Sequence, residues 1–160
     1  MSRATQEDWD RYHKELSFGD PHAEEFSCMW SSFCHMIDDV VDKEEIDPVG
    51  FVSELIRVID AFSFNPFYLQ HKRELHALIV QSASAFLDSF RWAESGETLQ
   101  TTHANALRAF YDCVNYQVAY ISSGYNFDKM RKLTQKWRDF NWIDVNASGV
   151  TAWDERWKKD

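Results

Sequence analysis

The sequence predicts an all-α, single-domain bundle of about six helices. Three observations carry this. All 3 prolines follow Asp or Asn, apolar residues recur with helical spacing, and neither strand-length Val/Ile/Thr alternation nor an Asn-Gly or Asp-Gly hairpin turn occurs. Asp20-Pro21, Asp47-Pro48 and Asn65-Pro66 each place an N-cap acceptor before a residue suited to the first helical position. They mark helix starts near 21, 48 and 66.

The other starts follow from capping chemistry. Thr5-Gln-Glu-Asp8 has the shape of a capping box and opens a first helix over 5–17. The second runs over 21–44 and the third over 48–63, with Phe51, Val52, Leu55, Ile56, Ile59 and Phe62 as its apolar set. The fourth spans 66–94 and is closed by Gly96. The fifth, 98–123, opens at Thr98 and carries Leu107, Phe110, Tyr111, Val114, Val118 and Ile121 on one stripe; Gly124 closes it. Asn126 opens the sixth, 127–141, and a short seventh is expected after Thr151.

Composition bounds the function. The 160 residues fit one domain, which buries roughly 70% of its unfolded surface. With 26 acidic against 17 basic side chains the formal charge is -9, which argues against nucleic acid as a partner, since that affinity comes largely from neutralised phosphates. No apolar run approaches the ~18 residues of a membrane span, and the first ten residues hold no apolar stretch of the secretory kind. Three irregularly spaced cysteines (Cys28, Cys34, Cys113) fit neither a disulfide framework nor a zinc site, and reduced thiols in the cytoplasm are the expectation. Asn146-Ala-Ser148 fits the glycosylation pattern by spelling only.

The second helix carries the strongest chemical signal. On a helical wheel Phe26, Met29, Trp30, Phe33, Cys34, Met36, Ile37, Val40 and Val41 fill one arc, and Glu24, Cys28, Ser31, Ser32, His35, Asp38, Asp39 and Asp42 fill the other. His35, Asp38, Asp39 and Asp42 stand at i, i+3, i+4 and i+7, so four ionisable groups share one face. Three carboxylates within two turns repel one another unless a cation neutralises them, and Mg²⁺ prefers such oxygen ligands while leaving positions open for phosphates. A solvated amphipathic face is the plainer reading. The small residues Cys28, Ser31 and Ser32 suit a crowded or cavity-lining surface better.

Asp38-Asp-Val-Val-Asp42 resembles the DDxxD motif of the isoprenoid synthases (polyprenyl, squalene and phytoene synthases and their relatives), and Phe33-Cys-His-Met-Ile37 is similar to the lead-in of such helices. The chain also resembles, more faintly, small helical proteins encoded by bacteriophages, which would put it in a host cytoplasm. The first resemblance implies a helix facing a central cavity, with Asp38, Asp39 and Asp42 binding Mg²⁺ that holds a substrate diphosphate. The chain has about half the family's usual length and no second DDxxD, and Lys43-Glu44-Glu45 stands where basic residues would grip the diphosphate, so the resemblance implies a reduced bundle.

A partial substitute lies on the fifth helix, whose polar stripe is Asn105, Arg108, Asp112, Asn115, Ala119 and Ser122. Asp112 and Asn115 could complete a site opposite the acidic helix, and Arg108 could meet a phosphate with its planar fork. The candidate catalytic groups are His35, to orient or shuttle a proton, and Asp112; Arg108 and Asn115 are the candidate substrate contacts. A third stripe, Glu74, Gln81, Ser84, Asp88 and Arg91, lies on the fourth helix, and all three could equally face water. His71 and His76 lack zinc-pair spacing and read as surface groups. The Glu-x-x-Glu of the all-α nucleotide pyrophosphohydrolases is missing, as are phosphate loops and nucleophile elbows. Lys129, Arg131, Lys132, Lys136 and Arg138 make the sixth helix basic and fit pairing with the protein's own carboxylates. Trp137, Phe140, Trp142, Trp153 and Trp157 are expected to cover the bundle, or to meet a partner or a second copy in a homodimer. Two functions follow: a non-catalytic helical interaction protein, or Mg²⁺-dependent binding or turnover of a diphosphate-containing small molecule.

Overall fold

The computed structural model describes residues 5–41, 47–93, 103, 104, 106, 107 and 109–147; the side chains of Val41, Ala93 and 138–147 are not described. Among these residues there are six helices and no strand: α1 (Gln6–Leu16), α2 (Pro21–Val41), α3 (Pro48–Phe64), α4 (Pro66–Ala93), α5 (Asp112–Ser122), entered through a 3-10 turn at Ala109–Tyr111, and α6 (Phe127–Ala147). The chain is an all-α bundle. No described helix is long and apolar enough to cross a membrane.

The caps are where the sequence places them. Thr5 accepts from the Asp8 amide while the Asp8 carboxylate accepts from the Thr5 amide, a complete capping box. Asp20 Oδ1 accepts from the amides of His22 and Ala23, Asp47 from Val49 and Gly50, and Asn65 Oδ1 from Tyr68. Each Asp/Asn-Pro pair therefore satisfies amides that the first turn leaves without partners. Asn65 also ties two helices together, because its Nδ2 donates to the His22 carbonyl and to Glu25. At the end of α5 Gly124 takes φ +74 and the Tyr125 amide closes onto the Tyr120 carbonyl, a left-handed turn that glycine enters without strain.

Two elements differ from the sequence reading. The fifth helix is interrupted: His103, Ala104, Ala106 and Leu107 are helical, Ala109–Tyr111 winds more tightly, and a regular α-helix resumes at Asp112. Ser82 on α4 donates to the Phe110 carbonyl (3.1 Å) and the Trp30 indole on α2 donates to the Tyr111 carbonyl (2.9 Å), so neighbours pin the turn before α5 in a tighter winding. α4 is kinked at His71, whose φ -109 and ψ 20 are not helical. Asp42, Gly96, Thr98, Asn105, Arg108 and the segment after Thr151 lie outside the described residues.

The core has two parts that share α5. The larger joins Ala23, Phe26, Met29 and Trp30 to Val58, to Phe67, Tyr68 and Leu75, and to Val114, Val118 and Ile121. Phe26 is its centre, in contact with the rings of Phe62, Phe67 and Tyr68. The smaller joins Tyr12 and Leu16 to Ala119 and Trp137. Trp137 is buried as expected, edge-on to Tyr12, with its indole donating to Glu15. Lys136 pairs with the same Glu15 (2.6 Å) and lies over the Trp137 ring, so one basic group of α6 does serve the protein's own acids.

Replacing Phe26 by Ala should cost about 3–5 kcal/mol in urea unfolding, through lost transfer energy and an unfilled cavity. Asp47→Ala, which removes only the α3 cap, should cost about 1 kcal/mol by the same measurement.

Candidate functional site

The polar stripes of α2 and α5 do meet, and α1 joins them. Ser27 and Ser31 are one turn apart on α2 and face Asn115 on α5. The Ser27 hydroxyl donates to Asn115 Oδ1 (2.9 Å), and Asn115 Nδ2 donates to Ser31 Oγ (2.9 Å). His13 Nδ1 lies 2.8 Å from Ser27 Oγ. Because the Ser27 proton goes to Asn115, His13 must donate through Nδ1, which fixes its neutral tautomer. All four residues are buried. Burial also lowers the His13 pKa from 6.5 to about 4, against a smaller opposing pull from Asp10.

At the outer end of this chain the candidate carboxylates come together in part. Asp112 accepts a long hydrogen bond from Tyr12 Oη (3.5 Å). Burial raises the Cys34 thiol and the Tyr111 phenol, and the charges of Asp112 and Asp38 raise both further. The two carboxylates thus flank the same pair of groups from α5 and α2. Asp38 is half-buried, whereas Asp39 faces solvent. His35 is exposed and packs edge-on against Trp9 (5.3 Å between ring centres) and Tyr111 (6.2 Å). Asn115, read as a substrate contact, has both ends of its carboxamide engaged inside the protein. Asp42 and Arg108 lie outside the described residues, among which no group of three or more His, Cys, Asp or Glu side chains could hold a metal ion.

Two features escape the sequence reading. His13 belongs to the buried chain although it sits on a short, largely polar helix; its signal is the face Trp9, Tyr12, His13, Leu16, spaced at i, i+3, i+4 and i+7. The kink at His71 opens a cleft of about 370 Å³ along Leu69–Glu74. There Tyr125 Oη donates to Glu74 (3.0 Å) and Gln117 to its other oxygen (3.2 Å). No family model, curated protein or solved structure matches the chain.

A further exposed apolar feature lies on α3. On α3 Val49, Val52, Ile56 and Ile59 are 74%, 53%, 53% and 62% exposed, and Phe64 at its end is 73% exposed. With the buried or half-buried Val58, Phe51, Phe62 and Leu55, the first four complete an apolar arc roughly 180° wide, and Phe64 stands beyond its edge. The bundle covers half of it. Val52, Ile56 and Ile59 share one helical period with Phe51, Leu55 and Phe62, and periodicity marks an apolar face without saying what lies against it.

A neutral buried imidazole makes stability depend on pH. Between pH 6.5 and about 4 the unfolded chain takes up a proton that folded His13 refuses, so His13's contribution is complete above 6.5 and lost as pH falls toward 4. The loss should reach about 3 kcal/mol, less whatever the acid-unfolded chain retains in structure. Urea unfolding of the wild type and His13→Gln across this range should show the steeper decline in the wild type.

Proposed function

We propose that this chain is a non-catalytic helical interaction protein, and that the outer face of α3 is its docking surface. The observation that carries the reading is the exposure of Val49, Val52, Ile56 and Ile59 on consecutive turns. Isolated exposed apolar residues are ordinary, but a continuous stripe in water is the usual mark of a surface that another surface covers. The polar interior supports the same view. Ser27, Ser31, Asn115 and His13 satisfy one another, as buried polar groups in a packing network do. On this reading the chain is a reduced bundle of the isoprenoid-synthase kind, which keeps the acidic helix and has closed its polar interior.

One observation favours a second reading, in which a Mg²⁺-bound diphosphate compound is held at the acidic face: Asp38 and Asp112 both act on Cys34 and Tyr111. Asp39 and Asp42 would add ligands from the same helix, His35 would stand beside them, and Arg108 would meet the phosphate.

Thermal unfolding with Mg²⁺ and inorganic pyrophosphate separates the two. The interaction reading expects no change in Tm. A ligand at 100 times its Kd would add about 2.7 kcal/mol, and an upward shift of that order, abolished by Asp38→Asn, would establish the second reading instead. The docking surface is tested separately with the fluorescent dye bis-ANS. In dilute solution, where the chain is a monomer, Ile56→Glu should lower dye binding and leave helix content and Tm unchanged, and equal binding by the two monomers would count against α3.

A further inference from the structure

Resting on the reading of α3 as a docking surface, we propose that its occupant is the α3 of a second copy of this chain, packed antiparallel about a two-fold axis. The stripe reads the same in both directions. Val49, Val52, Ile56 and Ile59 are spaced 3-4-3, the a/d spacing of a two-helix seam. Reversed about position 54, Val49 lies opposite the other copy's Ile59, and Val52 opposite its Ile56. Every layer then combines one Val with one Ile, so all four have the same volume, and the interface is self-complementary as two-fold symmetry demands.

Charge points the same way. The chain carries -9, yet on α3 Glu54 and Arg57 pair with each other at 2.8 Å and leave Asp60 as the one unbalanced charge. A near-neutral face offers little to a strongly basic or acidic partner and little repulsion to its own copy. Ser53, on the edge of the stripe, would meet its symmetry mate beside the axis, and half-buried Leu55 would do so on the other edge. The four stripe residues expose roughly 400 Å² of apolar surface per copy, within the range a lone monomer leaves contiguous. Two such faces together bury up to roughly 800 Å², the size of a weak interface, so the dimer forms only as concentration rises.

Sedimentation equilibrium of the full chain tests this. The wild type should move from 18.9 kDa toward twice that mass as concentration rises. Association should tighten as NaCl rises from about 0.05 to 0.5 M, because salt screens the repulsion between two acidic copies. Ile56→Glu and Val52→Lys should each raise the dimer Kd by roughly 100-fold or more, since each buries an unpaired charge in the seam. Mixed in equal amounts they should associate again, because only the antiparallel register sets position 56 against position 52.

A dimer that survives Ile56→Glu, or variants that fail to rescue each other when mixed, would overturn the antiparallel α3 seam. A wild type that stays monomeric, while Ile56→Glu still lowers bis-ANS binding, would overturn the second copy and leave α3 as a docking face for another protein. A monomeric wild type whose dye binding Ile56→Glu does not change would remove both.

Discussion

A buried carboxamide cannot be left without hydrogen bonds, and Asn115 sits where all of α1, α2 and α5 must answer to it. Leaving one end unpaired would cost about 1–3 kcal/mol. Ser27 and Ser31 are held one turn apart by α2, and that spacing lets one serine give a proton and the other receive one. The donor and acceptor ends of the amide thereby set the rotation of α5 against α2. His13 extends the requirement to α1 through Ser27. A purely apolar contact of the same area would tolerate several registers; this one tolerates few.

Around that fixed point the apolar packing falls into place. α5 presents Val114, Val118 and Ile121 to one cluster and Ala119 to the other, so its position is set from both sides. The turn preceding it is held by donors from α2 and α4. α3 is attached differently. It meets the bundle through the buried edge of a wide apolar arc, and its remaining edge has no counterpart within the described residues. The molecule is therefore over-determined at its polar centre and incomplete at α3.

Much of the fold was legible in the residues, for local reasons. Caps are short-range devices, so Thr5, Asp20, Asp47, Asn65 and Gly124 announce their helix ends whatever surrounds them. The winding at Ala109–Tyr111 was not legible, because it answers to side chains about 30 and 80 residues away, Ser82 and Trp30. Nor was the kink at His71. The site was legible as a set of faces and no further. The wheel set the polar sides of α2 and α5 apart from their apolar sides, and the small size of Ser31 hinted at crowding. Whether water, a ligand or another helix fills the space depends on tertiary packing, which for Asn115 supplied two serines. α3 shows the same limit from the apolar side, since Val58 and Ile59 are neighbours of equal hydrophobic character and only one is buried.

The division of the core has a consequence for how the protein opens. α1 and α6 are joined to the rest through the smaller cluster and through His13, while α2, α3 and α4 close around Phe26 without them. Such an arrangement favours a stepwise loosening in which α1 and α6 leave as a cooperative unit before the larger cluster yields. The single buried imidazole sits in the part that leaves first. Acid would then act as a selective solvent for one side of the bundle, with protons trapping His13 in water while α2–α5 hold together. Amide exchange in mildly acidic buffer would proceed as a front that starts at α1 and α6 and stalls at α5.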